Sequence, residues 1–233
     1  MKRPLADMLA AAQAFGRLLP REAFERWQFA GSIRRKSPLV KDCEHVVIPA
    51  WGDVRGDGLF AESQRVNLLW HALDRLLADG VIERAFVNGS PRWGERYRKV
   101  IYPIADGVVH DVFLADADNW GMQFAIRTGG AAFSRELVTR LQDGPHFCHG
   151  GHVLDKRQAR CGGCCHRFEV AGFCRHTGKG WQRDKDDASD LMPCPNCGGT
   201  AAITFARVPV PDERAFFSLC GVPWRPPEER SER

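Results

Sequence analysis

Three acidic residues occur at the start or in the middle of apolar, strand-like runs. Asp42 and Glu44 open a run that ends at Ile48, and Asp111 lies at the centre of the run Val108–Leu114. Because side chains alternate along a strand, Asp42 and Glu44 are expected on the same face. A charge inside such a run needs a partner or a metal, and carboxylates are suitable ligands for Mg²⁺. The simpler alternative is that Asp42 and Glu44 form the solvent side of a half-buried strand.

A Gly-Ser turn and two arginines precede the first pair of acids. Gly31-Ser32 can offer backbone N–H groups, and Arg34 and Arg35 offer guanidinium forks. Both kinds of donor suit phosphate oxygens. Phosphate-binding groups beside two carboxylates predict a site for a nucleoside triphosphate bridged by Mg²⁺.

Seven of the nine cysteines fall between Cys148 and Cys197, together with four histidines. Such crowding in an intracellular chain favours a metal over disulfides. Two Cys-x-x-Cys pairs can present four thiolates to one tetrahedral zinc ion: Cys161, Cys164, Cys194 and Cys197. Four further candidate ligands exceed the number that one zinc site needs: Cys165, His166, Cys174 and His176. Either the choice of ligands is ambiguous or a second ion binds. The isolated Cys43 and Cys220 are expected to be buried.

The motifs around these acids resemble those of the family X DNA polymerases, which are nucleotidyltransferases with a small palm. The turn and acids of residues 31–44 are similar to the family's Gly-Ser…Asp-x-Asp signature. Residues 127–134 look like its Thr-Gly-Ser…Phe-Asn turn, which lies against the nucleotide's sugar and base. Residues 211–230 are similar to its ending, an acidic helix followed by Leu-Gly-x-Pro-Tyr and Pro-Pro-Glu.

The resemblance implies an α+β fold in two parts. Residues 1–145 would form a nucleotidyltransferase palm, which is a small mixed sheet with helices on one face. Residues 146–233 would form a small thumb, and an insertion at about 158–203, which does not resemble the family, would bind structural zinc.

The implied activity is nucleotide addition to a DNA 3′-hydroxyl, in gap filling or DNA repair. By resemblance, Asp42, Glu44 and Asp111 are the catalytic residues and bind two Mg²⁺ (or Mn²⁺) ions. Ser32 and Arg35 would contact the β- and γ-phosphates. The implied nucleotide-binding residues are Gly31, Ser32, Arg35, Arg127, Thr128, Gly129, Gly130 and Ser134.

The chain departs from the family pattern at several of these positions. Glu44 replaces the usual second aspartate and keeps its charge. Gly130 replaces a serine of the sugar-side turn, Ser134 replaces an asparagine, and Ile126-Arg127 replaces an aromatic pair. We therefore expect weak discrimination between deoxyribose and ribose.

Two other classes of function remain open. A smaller nucleotidyltransferase that modifies RNA or protein would share the Gly-Ser turn and the acids, but it should lack the thumb-like ending at residues 216–230. A non-catalytic, zinc-dependent nucleic-acid-binding module would tolerate the loss of a carboxylate, and here all three are present.

Apolar periodicity and capping residues predict the elements that position the acids. Helices are predicted at residues 4–19, 62–80, 119–126 and 133–142. The second helix should cover the sheet face opposite the acids. Asp106-Gly107 between two β-rich runs predicts a hairpin that carries Asp111 to the sheet centre. Residues 151–154 and 208–210 are predicted to pair in one small sheet, which the insertion interrupts.

Basic residues alternate with aromatic ones in residues 92–99 and again in residues 156–185. Such a mixture suits phosphate contact and base stacking. The alternatives are a solvated hairpin edge for the first segment and an ordinary soluble surface for the second.

The 233-residue chain has a formal net charge of only +4 and 44% hydrophobic residues. A nucleic-acid role must therefore depend on where its basic residues lie. No apolar run approaches the ~20 residues that span a bilayer. We expect a monomer in the cytoplasm of a bacterial or phage-like host, whose partners are nucleoside triphosphates and a DNA primer or gapped DNA rather than a membrane.

Overall fold

The computed structural model describes residues 2–55, 62–103, 107–161, 163–169, 194, 196–198 and 203–231. Helix and strand are mixed in similar amounts, 35% and 34%. The strands form a five-stranded sheet, a four-stranded sheet and three two-stranded ribbons. This composition confirms the predicted α+β class.

The first half of the chain builds the five-stranded sheet. Its elements are β1 (Arg3–Pro4), α1 (Leu5–Arg17), β2 (Phe24–Phe29), α2 (Gly31–Arg34), β3 (Leu39–Val40), β4 (Cys43–Pro49), β5 (Trp51–Arg55), β6 (Ser63–Asn67), α3 (Leu68–Ala78), β7 (Glu83–Arg84), β8 (Phe86–Val87), β9 (Ser90–Pro91), β10 (Tyr97–Tyr102) and β11 (Val108–Leu114). The strand order is β2-β4-β11-β10-β7. Strands β4 and β11 are parallel, and the other neighbours are antiparallel. The predicted hairpin therefore does place Asp111 on the central strand.

Helices α1 and α3 cover one face of this sheet. Phe15 of α1 and Leu73 of α3 pack with Val47 of β4 and Val112 of β11 in one buried cluster. Side-chain alternation puts Glu44 and Asp111 on the opposite face. The prediction that the second helix covers the face away from the acids is confirmed.

The predicted helix at residues 62–80 is wrong in its first turn and a half. Residues Ser63–Asn67 form β6, which pairs with β5. Helix α3 begins only at Leu68, because the Asn67 side chain accepts a hydrogen bond from the backbone N–H of Trp70 at 3.1 Å and caps the helix there. Gly80, with φ +71°, follows its end as expected for a glycine cap.

The second half of the chain builds the four-stranded sheet. Its elements are α4 (Trp120–Thr128), α5 (Ala131–Asp143), β12 (His146–His149), β13 (His152–Cys161), β14 (Arg167–Glu169), β15 (Ile203–Val208) and α6 (Glu213–Leu219). Strand β13 pairs with the other three. Val153 lies opposite Val208, which confirms the predicted pairing across the insertion. Leu141 of α5 shares a buried cluster with Val153 and Phe216, while the division into domains at residue 145 stays a prediction.

Helix α4 packs on the face of the large sheet that carries the acids. Trp120 and Phe124 form a buried cluster with Val46, which alternation places on the same side as Glu44. The guanidinium of Arg34 lies 3.6 Å from the centre of the Phe124 ring. The expectation of helices on one face is therefore wrong, because the aromatic side chains of α4 need the apolar surface that Val46 provides.

A buried ionic network joins the C-terminal segment to the turn after β2. The Glu213 carboxylate accepts hydrogen bonds from both terminal nitrogens of Arg34, at 2.6 and 2.7 Å. Arg230, which is fully buried, donates to the same carboxylate at 2.5 and 3.3 Å. Burial opposes the charge of Glu213, but the two arginines outweigh it and lower the pKa of that carboxyl. The network fixes α6 against α2.

Candidate active site and metal centre

Strands β4 and β11 bring two of the acids to neighbouring positions. Their parallel register pairs Glu44 with Asp111, so both side chains leave the same face of the sheet. Asp42 lies just before β4 and is close enough to Asp111 for the two charges to repel each other. The structure therefore groups the three acids that were predicted from the sequence.

Burial and repulsion make a negative charge costly for Glu44 and Asp42. Burial, followed by the charges of Asp42 and Asp111, raises the pKa of Glu44 to about 7, against the opposing effect of Arg127 and Arg35. Burial, followed by the charge of Asp111, also raises the pKa of Asp42. A cation among these groups would lower the cost of charging them.

Asp111 has two hydrogen-bonding partners that sequence analysis missed. The Lys99 ammonium contacts both of its carboxylate oxygens at 2.8 Å, and the Tyr97 hydroxyl donates to Oδ1. Lys99 lies directly opposite Asp111 in the β10–β11 pairing. Counting back through the predicted hairpin from Asp106-Gly107 could have found this pair, since opposite residues of a hairpin share a face.

The chemistry of the acids fits Mg²⁺, which prefers carboxylate oxygens. Within the described residues, however, the only group of three or more potential ligands whose atoms all lie within 4.8 Å of one another is made of cysteines. The oxygens of the three carboxylates do not all lie within that distance of one another, and the Asp111 carboxylate is paired with Lys99. Binding of a metal ion by both oxygens of Asp111 would therefore require the carboxylate to give up its contact with Lys99.

Gly31 provides a close approach that a side chain would block. Its φ is +56°, and a Cβ built on it would lie 1.8 Å from Glu44 Oε2. The residue is thus constrained both by its backbone conformation and by the carboxylate beside it. A glycine at position 31 allows the turn after β2 to lie directly against Glu44.

The two arginines after this turn have different roles. Arg35 donates to the Thr128 carbonyl at 2.6 Å and to Ser32 Oγ at 3.0 Å. Arg34 instead binds Glu213 and Thr128 Oγ1. The interpretation of both arginines as phosphate ligands is therefore wrong for Arg34, because its guanidinium is committed to the buried carboxylate.

A cleft of about 740 Å³ opens beside Glu44. It is lined by most of the predicted nucleotide-binding residues: Ser32, Arg35, Arg127, Gly129, Gly130 and Ser134. Lys2 and Lys41 add positive charge to its wall. A volume of this size suits a small organic ligand, and the charges favour an anionic one.

Arg127 is the most distinctive residue of the cleft. Its guanidinium lies 3.8 Å from the centre of the Phe113 ring, and Phe113 stacks on Tyr97. Burial lowers the pKa of Arg127 against the opposing charges of Glu44 and Asp111. Among the described residues its Nε is buried and has no hydrogen-bond partner.

Two predicted ligand residues act within the protein instead. Thr128 is fully buried and does not line the cleft. Ser134 donates from Oγ to the Ile126 carbonyl at 2.7 Å, although it lies at the cleft wall. Gly129 is held close to it, since an added Cβ would meet Ser134 Oγ at 2.6 Å. The turn between α4 and α5 is thus tightly packed by groups of the protein itself.

Two of the four basic residues in the segment 92–99 turn inward, while Arg92 and Arg96 are exposed. Arg98 is buried between the rings of Trp70 and Trp93, with its guanidinium 4.5 Å from each ring centre, and it pairs with Asp74 at 2.9 Å. Lys99 pairs with Asp111. Both expectations for these two residues, a nucleic-acid contact and a solvated edge, are wrong, because each cation is paired within the protein, Arg98 with the half-exposed Asp74 and Lys99 with the buried Asp111.

Four cysteines gather at the end of the four-stranded sheet: Cys161, Cys164, Cys194 and Cys197. Their sulfurs all lie within 4.8 Å of one another, with Cys161–Cys197 at 3.9 Å and Cys164–Cys194 at 3.5 Å. Tetrahedral zinc with Zn–S bonds of about 2.3 Å requires S···S distances of about 3.8 Å. The group can therefore bind a metal ion such as zinc.

Backbone N–H groups and a side-chain amide donate hydrogen bonds that stabilise negative charge on these sulfurs. The backbone N–H groups of Gly163 and Asn196 donate to the sulfurs of Cys161 and Cys194, at 3.3 and 3.4 Å. A backbone hydrogen bond from His166, followed by the Asn196 amide, lowers the pKa of Cys164 to about 6. Such donors stabilise thiolates, the form that binds metal.

We expect the purified chain to bind one Zn²⁺ per molecule and the Cys194→Ser variant to lose it, because a closed four-thiolate site needs every ligand. Zinc content after dialysis, measured by mass spectrometry of the metal, checks this. Cys165→Ser is the matched control, since Cys165 is exposed and outside the group. Equal zinc loss in both variants, or full zinc retention in Cys194→Ser, would contradict the assignment.

Some predicted features lie outside the described residues. These are the alternative ligands Cys174 and His176 and most of the basic segment at 156–185. Cys165 and His166 are described and exposed, and neither belongs to the four-cysteine group. Cys43 and Cys220 are buried as predicted. In the described part of the chain, no helix has the length and apolar character needed to cross a membrane.

No family model matches the chain, and none of the curated proteins is significantly similar to it. Its function must therefore be inferred from its residues and their geometry. Two features stand out: the carboxylates beside a basic cleft and the cluster of four thiols.

Proposed function

We propose that this protein is a nucleotidyltransferase of the family X DNA polymerase type, which adds nucleotides to a DNA 3′-hydroxyl during gap filling or repair. The observation that carries the proposal is the pairing of Glu44 with Asp111 on parallel neighbouring strands. Glu44 also lines a cleft that contains Ser32, Arg35 and Arg127. Acids and phosphate-binding donors are thus adjacent, as transfer from a nucleoside triphosphate requires.

The acids would hold the metal ions of such a reaction. Two Mg²⁺ ions, or Mn²⁺ in their place, would be bound by Asp42, Glu44 and Asp111, and they supply the Lewis acidity that activates the 3′-hydroxyl and neutralises the triphosphate. Burial and, after it, repulsion from Asp42 and Asp111 raise the pKa of Glu44, which supports this role because positive charge would stabilise the ionised acid.

The donors of the cleft would orient the triphosphate. Arg35 is held at the wall by the Thr128 carbonyl and by Ser32 Oγ, which limits the entropy lost when it binds phosphate. Arg127 lines the cleft together with Glu44 and is close enough to Glu44 and Asp111 for both of their charges to act on it. The protein's part in the reaction is then positioning and charge stabilisation.

The zinc centre would serve DNA binding rather than chemistry. Four cysteine ligands leave no position for water, which is the mark of a structural site. Strand β13 runs without interruption from the pairing with β12 to Cys161, so the metal would stabilise an extension of the thumb-like sheet. Arg160 and Arg167 are exposed on this sheet, and they support a role in phosphate contact.

Primer extension tests the proposal. The full chain with Mg²⁺ is offered gapped, recessed and single-stranded DNA ends, with dNTPs and with rNTPs. We expect extension of at least one end type, and a dNTP preference in kcat/KM below about a thousandfold (~4 kcal/mol), because Arg127, Gly129 and Gly130 replace the bulkier sugar-side wall of the family. Absence of extension on every end would refute the function, whereas a stronger dNTP preference would refute only the role of these residues.

A further inference from the structure

Lys99 places a positive charge on the acid that the proposed function assigns to metal binding. Its Nζ is equidistant from the two oxygens of Asp111, at 2.8 Å from each. The Lys99 side chain is 19% exposed and that of Asp111 is 7% exposed. The contact is therefore shielded from solvent, where an ion pair is stronger than at the surface.

The carboxylate of Asp111 has little capacity left for a further ligand. Oδ1 accepts from both Lys99 and Tyr97, and Oδ2 accepts from Lys99. A carboxylate offers about four lone-pair sites. A metal ion could use Oδ2 alone, or it could displace the ammonium and use both oxygens.

Lys99 also acts on a second acid, Asp42. Its charge lowers the cost of ionising Asp42, as does that of Lys41. Lys41 differs in being exposed, and no hydrogen bond joins it to an acid among the described residues. The two lysines therefore allow direct contact to be separated from general charge.

We propose that Lys99 competes with divalent metal for Asp111, so that the free protein binds the metal weakly and metal binding releases the Lys99 ammonium. The inference rests on the proposed function, since it takes Asp111 as a metal ligand. The lysine stem has four carbons and can swing its ammonium to another partner. A bound triphosphate or DNA phosphate is a partner of suitable charge, and it would favour the released state.

The test is Mn²⁺ titration of the zinc-loaded full chain, followed by the electron paramagnetic resonance signal of free Mn²⁺, without nucleotide. Thiolate sites favour zinc over Mn²⁺, so the cysteine cluster should not interfere. Lys99→Met and Lys99→Gln should bind Mn²⁺ at least about tenfold more tightly than the wild type, because a like charge leaves the site. Lys99→Arg, which keeps the charge, should not bind Mn²⁺ more tightly than the wild type.

Lys36→Met is the matched control, since Lys36 is exposed, pairs with Glu228 and does not line the cleft, and it should change the Mn²⁺ affinity by less than about threefold. Lys41→Met, which removes charge but no hydrogen bond to an acid, should raise the affinity less than Lys99→Met does. Adding Asp111→Asn to Lys99→Met should abolish the gain. Unchanged or weaker Mn²⁺ binding in both Lys99→Met and Lys99→Gln would overturn the proposal.

A measurement on the wild-type protein avoids any variant that fails to fold. Acetylation of lysines by an activated ester, read by peptide mass spectrometry, should increase at Lys99 when Mg²⁺ is added and remain constant at Lys41. Constant or reduced Lys99 acetylation would count against the competition. If the protein shows the Lys99 response but extends no primer, the proposed function is wrong and the competition between Lys99 and metal is still supported.

Discussion

Replacing Asp111 by asparagine is expected to lower the rate of nucleotide addition by about a thousandfold or more, which corresponds to ~4 kcal/mol of transition-state stabilisation. The reason is that Asp111 is the acid on the central strand, paired in register with Glu44. The variant keeps the size of the side chain but removes its charge and half of its capacity to accept hydrogen bonds. Single-turnover primer extension measures the effect.

The matched control for this variant is Asp53→Asn. Asp53 also lies on a strand, but it is exposed and belongs to the β5–β6 ribbon. We expect its rate to equal that of the wild type. If Asp111→Asn kept more than about a tenth of the wild-type rate, a change below ~1.4 kcal/mol, Asp111 could not have the assigned role.

Replacing Glu213 by alanine should lower the free energy of unfolding by about 3–5 kcal/mol, since it leaves Arg230 buried without its carboxylate. Arg34 would lose the same partner. The lowered pKa of Glu213 also gives a pH dependence: its contribution is present above the unfolded pKa and is lost as the pH falls through the folded pKa. Urea denaturation followed by circular dichroism measures both effects.

Glu136→Ala is the control for this second variant. Glu136 and Arg140 form an ion pair of the same chemistry on α5, but both side chains are about half exposed. Such a pair contributes only about 0.3–0.5 kcal/mol. A loss below about 1 kcal/mol in Glu213→Ala would show that the buried network is not what joins α6 to α2.

Local patterns were sufficient to predict the parts of the fold that depend on neighbouring residues. The Asp-Gly turn between β-rich runs gave the β10–β11 hairpin, and apolar spacing gave α1. The pairing of Val153 with Val208 was also predictable, because turn and strand signals remain on both sides of the insertion. For the hairpin and α1 the deciding information lies within a few residues of the element, whereas the pairing of Val153 with Val208 was predicted from strand signals on the two sides of the insertion.

The features that were missed depend on contacts between distant parts of the chain. Arg34 is adjacent to Arg35 in sequence, and only the position of Glu213 reveals that it is not available to a ligand. The segment Ser63–Asn67 was included in a helix because of the spacing of its apolar residue from those that follow. It forms a strand because it pairs with β5. The side chains that hold the acids, above all Lys99, require the register of two strands to be known.

The candidate site was predictable in its residue types more than in its geometry. Spacing identified the four cysteines that the structure brings together. The family resemblance, together with their places in strand-like runs, indicated Glu44 and Asp111, but a sequence pattern cannot tell whether three carboxylates converge on one point. That depends on competing partners, and here Lys99 is one of them.

We propose that a nucleotide, rather than a terminal phosphate, is transferred to a 3′-hydroxyl. This claim is tested most directly by incubating the wild-type protein with a DNA primer, Mg²⁺ and dATP labelled with ³²P at either the α- or the γ-phosphate. We predict that α-label enters a primer with a 3′-hydroxyl and does not enter a 3′-deoxy primer. Transfer of γ-label, or transfer of α-label to neither primer, would contradict the claim.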